Sequence, residues 1–268
     1  MPQLSDLVGV FEKNWPSHHA EEWDAVGLTV GSLSSDVSKI LVAVDLTHKV
    51  IDEALAHGAQ LILTHHPLLL KPVNSVAGQT LKGSLISRLI GASIAAFSAH
   101  TNADVQTDGA STAMAKAFGV TGLVPLVGAN GGFGHGVLGT LPAPTSLADF
   151  AKTVSKALPD TARKVVFSGS PEQEISSVAI CSGAGDSFLP VVLASSADVY
   201  VTSDLRHHPA LDAIATPRSG NPLALIDVSH WAAESLWVAN AAHRLSSEPG
   251  LEVIVSTQKT DPWTQEVD

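Results

Sequence analysis

The feature that most constrains the fold is that the chain repeats its own order of elements. In one run, "KILVAVDLT" leads to "VIDEALAHGA", then "QLILTHHPLL", then "ASIAAFSAHTNAD". In a later run, "SSVAICSGAG" leads to "FLPVVLASSA", then "DVYVTSDLRHHPAL", then "PLALIDVSHWAAE". Each reads strand, helix, strand, His-His-Pro, helix, strand, and finally a histidine followed by a carboxylate. Any two βαβ units resemble each other loosely, but the matched His-His-Pro favours a duplicated half. Strands alternating with helices of this length require crossover connections and hence a largely parallel sheet. The expected fold is therefore α/β: two similar three-layer α/β/α domains, with a site in the cleft between them.

Local signals fit this plan. Thr47 is placed to cap a helix that Gly58 ends, a serine opens "SLADFAKTVSKAL", and helices are expected over 4–14 and 81–91. The stretch from about 122 to 140 is rich in Gly and Pro, so the domains are expected at 1–127 and 128–268, with room for 228–268 to pack back on the first. "GANGGFGHG" (128–136) sits there and reads as flexible chain; no Walker-type loop or dinucleotide fingerprint is present.

Composition narrows the function classes. With 268 residues, 45% apolar and 15% charged, the chain has a sizeable core and the balance of a soluble globular protein. The formal net charge of −11 argues against nucleic acid, because little counterion release is available. The lone Cys181 rules out an intrachain disulfide and suits an intracellular, cytoplasmic protein. No signal peptide or transmembrane run is read, so no membrane partner is expected.

The 12 histidines are the anomaly. Neighbouring side chains on a strand point to opposite faces, so His65 and His66 cannot both serve one core face. Past the carboxyl end of a strand, both can aim into the crevice where open α/β sheets bind ligands. Alone, a His-His-Pro at a turn is exposed and idle more often than not. "HTNAD" (His100, Asp104) stands at another strand end, and "HWAAE" puts His230 and Glu234 one helical turn apart. His65, His66 and His230 with Asp104 and Glu234 exceed one tetrahedral zinc and suit two divalent ions, with Glu234 as a natural bridge. Zn, Fe, Mn, Co and Ni are not distinguished by such ligands. "TSDLRHHP" adds Asp204, Arg206, His207 and His208 as candidates for a hydrogen-bond partner of a metal ligand, a substrate contact or a proton shuttle, or as an idle relic of duplication.

These stretches carry a resemblance. "EEWDAVGLTVG", "LTHHPLLLKPV", "SAHTNAD", "CSGAGDSFL", "YVTSDLRHHPALDA" and "DVSHWAAES" each resemble a block of the GTP cyclohydrolase 1 type 2 homologue family, in family order. Its members are also called NGG-interacting-factor-three-like or dinuclear metal-centre proteins. The resemblance implies a two-domain α/β subunit, a toroidal homohexamer, and two metal ions held by His65, His66, Asp104, His230 and Glu234, with His100 lining the site. Ala25 and Ser203 depart from the family's Asn and Gly, and neither is a ligand position. The family label leaves the reaction open. A metal-dependent hydrolase acting on a small molecule such as a nucleotide would use His100 or His208 as acid/base. Arg206, Asp204 and His207 would contact substrate, and Lys71 or Arg206 any phosphate. The alternative is a non-enzymatic metal store, metal-delivery protein or regulatory assembly. A toroidal clamp on DNA is the third reading, and the charge opposes it.

Overall fold

Each apolar run that ends in a histidine or carboxylate becomes a parallel strand in the computed structural model, which describes residues 1–105, 107–128 and 134–267. The chain order is α1 (Leu4–Asn14), β1 (Gly27–Val30), β2 (Lys39–Ala43), α2 (His48–His57), β3 (Leu61–Thr64), α3 (Leu81–Gly91), β4 (Ala95–Ser98), α4 (Thr101–Asp104) and α5 (Ala110–Ala117). It continues with β5 (Thr121–Gly128), β6 (Gly134–Ser146), α6 (Leu147–Ala157), β7 (Val166–Ser168), β8 (Glu174–Ala184) and α7 (Leu189–Ala194). β9 (Val199–Ser203), α8 (His207–Ala215), β10 (Ala224–Val228), α9 (His230–Leu245) and β11 (Glu252–Val255) follow.

Two sheets form, ordered β1-β4-β3-β2-β11 and β5-β6-β8-β9-β10-β7. The duplication is visible in their pairing. β2, β3 and β4 run parallel, and β1 adds antiparallel against β4. β8, β9 and β10 run parallel, and β7 adds antiparallel against β10. The halves differ only beyond their first parallel strand. β11 joins β2 in parallel, whereas β6 joins β8 antiparallel and β5 pairs with β6.

Parallel strands are buried on both faces because their crossover helices cover both, and β3, β4, β9 and β10 are buried along their whole lengths. In the second sheet the alternation is explicit. Val199 and Val201 face a core shared with Phe150 and Val154 of α6, while Tyr200 between them faces Leu189 and Val192 of α7. In the first sheet, Leu41, Ile62 and Ala96 pack on Val50 and Ile51 of α2 and Leu85 and Leu89 of α3. On its other face Phe11 of α1 meets Phe97 at 4.8 Å between ring centroids. Burying one such leucine or phenylalanine contributes roughly 1.5–3 kcal/mol.

The helix boundaries follow local chemistry. Thr47 accepts a hydrogen bond from Val50 N at 3.3 Å, and Gly58 closes α2 with φ 66°, a conformation that costs glycine nothing. Ser146 accepts from Asp149 N at 3.2 Å to open α6. Among the described residues, no helix is long and apolar enough to cross a membrane.

The contacts divide the chain into two compact units, Met1–Ala103 with Trp237–Thr260, and Asp104–Leu236 with Asp261–Asp268. The division differs from the expected 127/128 because the Gly- and Pro-rich stretch is not a linker: β5 and the start of β6 lie within it and pair in one sheet. The part of "GANGGFGHG" at 129–133 lies outside the described residues. The short edge strand β7 had no strong pattern to announce it.

Candidate metal centre

In the first unit the site begins where β3 stops. The backbone amides of His65 and His66 still reach back to Ala43 O (3.1 Å) and Val44 O (2.9 Å), so the ladder holds both residues just past the strand end. His100 stands two residues beyond β4, and its amide is held by Asn102 Oδ1 at 2.9 Å. The three imidazoles form a nearly equilateral triangle, with ring centroids 5.3–5.4 Å apart. One nitrogen from each lies within 4.8 Å of the others, close enough to share an ion.

Each ring is held by its Nδ1. His65 donates to Ala99 O at 3.0 Å, His66 to Asp45 at 2.7 Å and His100 to Asp24 at 2.9 Å. A carbonyl or carboxylate oxygen only accepts, so Nδ1 carries the proton in each case and Nε2 is the nitrogen with the lone pair. That is the arrangement in which proteins present imidazole to a metal. Asp45 is itself bound by Thr260 Oγ1. The buried Asp24 side chain also accepts from Thr101 N and Oγ1 at 3.1 and 2.5 Å. Burial pushes the Asp24 pKa upward, but these bonds from His100 and Thr101 outweigh it and hold the carboxyl well below the usual range.

In the second unit His230 opens α9. Its Nδ1 donates to Asp204 at 2.8 Å, and its Nε2 lies 3.0 Å from Oε1 of Glu234, one turn along the same helix. Glu234 is only 2% exposed. Its carboxylate fits because Gly183, at φ 69°, has no side chain: a Cβ there would come within 2.8 Å of Oε1. Asp104 accepts from Ser182 Oγ at 3.4 Å, and Ser182 is fixed in turn by Ser111. Both carboxylates act on the buried Cys181, whose thiol is pushed up to about 12 by burial first and by the charges of Asp104 and Glu234.

The geometry around His230 needs a proton or a metal ion between Nε2 and Oε1. With Nδ1–H given to Asp204, a neutral ring would turn the Nε2 lone pair towards the lone pairs of an ionised Glu234 oxygen 3.0 Å away. A proton or a metal ion resolves that repulsion. Donors each about 2.0–2.2 Å from one zinc-sized ion stand on the order of 3 Å apart, so the separation suits a shared metal.

Of the remaining candidates, Asp204 contacts His230, and the others fall elsewhere. Arg206 is 76% exposed and pairs with Asp186. His207 and His208 are exposed on the first turn of α8, unlike His65 and His66, which precede any helix. His208 borders an apolar hollow of about 370 Å³ with Leu189, Leu193 and Asp212. Among the described residues, no group of three possible ligands includes His207 or His208. Asp24, Asp45 and Gly183 had not been singled out. Only Asp45 gave a usable signal, as a carboxylate just past the end of β2.

Comparison with known proteins places the chain in a family. The sequence profile of the Duf34/NIF3 (NGG1p interacting factor 3) family matches residues 2–262. The chain belongs to this family. A Duf34/NIF3 relative from Streptomyces coelicolor, named GTP cyclohydrolase 1 type 2 homolog, is 41% identical over all of this chain and 95% of its own. A Mycobacterium tuberculosis protein of the same name is 32% identical, over 97% of this chain and 96% of its own. Among solved structures, a hypothetical protein from Staphylococcus aureus superposes with a TM-score of 0.87 at 28% identity, covering 97% of this chain and 98% of that one.

Proposed function

We propose that His65, His66, Asp104, His230 and Glu234 hold two divalent ions, and that the centre hydrolyses a small molecule such as a nucleotide. The observation that carries this reading is the common fixing of His65, His66, His100 and His230 through Nδ1, together with the 3.0 Å approach of His230 Nε2 to Glu234. Imidazoles that present Nε2, as His65, His66 and His230 do, together with the carboxylates of Asp104 and Glu234 form a donor set that divalent ions of the zinc or iron type fit. When bound, two such ions would supply an activated water and a clamp for a developing oxyanion.

The chain's own groups support the hydrolytic part. His100, held by the buried Asp24, has its Nε2 available to take or give a proton, and Asp24 stabilises the imidazolium that results. Trp23 is 60% exposed and meets His100 edge-on, with centroids 6.0 Å apart. Its open face suits a planar ring, which favours a nucleobase over an aliphatic ester. The name of the relatives, GTP cyclohydrolase 1 type 2 homolog, supports a nucleotide as well. A homohexamer is the assembly the family resemblance implies.

The test is metal content followed by turnover. Protein stripped with chelator and reloaded with Zn²⁺, Mn²⁺, Fe²⁺ or Co²⁺ is expected to take up two ions per chain. It should then hydrolyse a member of a nucleotide panel that includes GTP, and His100→Ala should lower turnover by about 10²–10⁴-fold while leaving the metal bound. Two tightly bound ions with no turnover would replace the hydrolase by a metal-storage or metal-delivery protein. Failure to take up metal would end both readings.

A further inference from the structure

Asp204 is one of two non-glycine residues in the described chain with a positive φ, at 55°. An L residue seldom adopts this conformation, although Asp tolerates it better than most. Its side chain is 45% exposed, so it adds little to the core. The turn is nevertheless held from several sides. Asp227 of β10 accepts from Leu205 N at 2.9 Å and from Arg163 at 2.6 Å, and the same Arg163 reaches Asp204 Oδ1 at 3.3 Å. What the strained turn achieves is the direction of one carboxylate. Oδ2 of Asp204 meets His230 Nδ1 at 2.8 Å, across 26 residues of sequence.

We infer that Asp204 is a positioning residue: its left-handed turn sets the carboxylate against His230 Nδ1–H and so aims Nε2 at the place beside Glu234. The turn is kept for the sake of that ring and not for the stability of the fold. Arg163 and Asp227 serve as the brace that keeps the turn from relaxing. The metal-binding consequence rests on the function proposed above, whereas the positioning of the ring does not.

The two parts separate in one set of variants of the full chain. Asp204→Gly removes the acceptor and also the conformational penalty, so the metal-free protein should unfold at the wild-type temperature or above it. In proton–nitrogen spectra of the metal-free protein, the hydrogen-bonded Nδ1–H of His230 should be seen in the wild type, vanish in Asp204→Gly, and return in part in Asp204→Asn, whose amide oxygen still accepts. Co²⁺ titration, followed by visible absorption, should weaken 10- to 100-fold in Asp204→Gly, the usual effect of removing the partner of a ligand histidine. An unchanged Nδ1–H signal in Asp204→Gly would overturn the inference, whatever the metal does. A marked drop in its unfolding temperature would also overturn it, because the turn would then serve the fold. If the signal is lost as expected but neither wild type nor variant binds Co²⁺, the positioning stands and the proposed metal centre falls.

Discussion

Gly183→Ala gives the sharpest separation between fold and site. Two effects follow from the geometry. The first is local: φ is 69° at this residue, and an L side chain there costs about 1–2 kcal/mol. The second is steric: the new Cβ would stand 2.8 Å from Glu234 Oε1, about 0.6 Å short of the 3.4 Å at which ordinary contact begins. The carboxylate is the movable partner, since it ends a flexible side chain while Gly183 lies inside β8. Metal–ligand distances tolerate only about ±0.2 Å, so a shift of this size removes Glu234 from any coordination sphere that includes His230. Urea unfolding of the metal-free variant should therefore show a loss of about 1–2 kcal/mol. Competition titration with a zinc chelator should show affinity lowered by at least the 10- to 100-fold typical of disturbed ligand support, or about 1.4–2.7 kcal/mol. Wild-type metal affinity in a variant destabilised only by the backbone term would refute the reasoning, because Glu234 would then not be a ligand. A loss of stability above about 4 kcal/mol would refute it differently, by marking the carboxylate as part of the core.

The other predictions are simpler. Asp24→Asn should destabilise the protein by on the order of 1–3 kcal/mol near neutral pH. Because the folded-state pKa of Asp24 is lowered, its contribution is present above the unfolded value near 3.8 and is lost as pH falls through the folded value, so wild-type and variant unfolding curves should converge in acid. Cys181, pushed up to about 12, should resist a thiol reagent at pH 8 in the native protein and react at once in denaturant; rapid native labelling would contradict its burial. On a turned-over substrate, His100→Ala should lower kcat by about 10²–10⁴-fold while His208→Ala leaves it near wild type, and the reverse order would move the acid/base role to α8.

The fold was legible to the extent that local chemistry decided it. Thr47, Gly58 and Ser146 mark helix ends because each satisfies or frees a backbone group within four residues. The repeated order of elements reappears in the pairing of β1-β4-β3-β2 and β7-β10-β9-β8. The stretch around β5 and β6 is harder to read, because Gly and Pro signal a break although the chain there forms two strands. Pro125 lies on an edge strand, where a missing donor costs nothing, and Pro142 and Pro144 fall where the β6–β8 register slips between Thr140 and Thr145. For the candidate site, the imidazoles could be found because a histidine past a strand end stands out. Their partners could not, because Asp24, Asp45 and Asp204 lie 76, 21 and 26 positions from the rings they hold. The second His-His-Pro looked equivalent to the first, but a left-handed residue at Asp204 and an immediate helix start at His207 lead it to an exposed turn.

The pairing of β11 with β2 has a consequence for biosynthesis. The first unit needs residues from both sides of the second, so it cannot be finished when its own first 103 residues leave the ribosome. At roughly 5–20 residues per second, the strand that covers β2 follows after a delay on the order of 10–30 s. Throughout that interval the nascent sheet exposes the backbone of Lys39–Ala43 as an open edge. A gene fragment ending near Ala103 should therefore yield aggregate where the full chain yields soluble protein. A circular permutant that begins near Trp237 would place the missing strand first and make the unit contiguous.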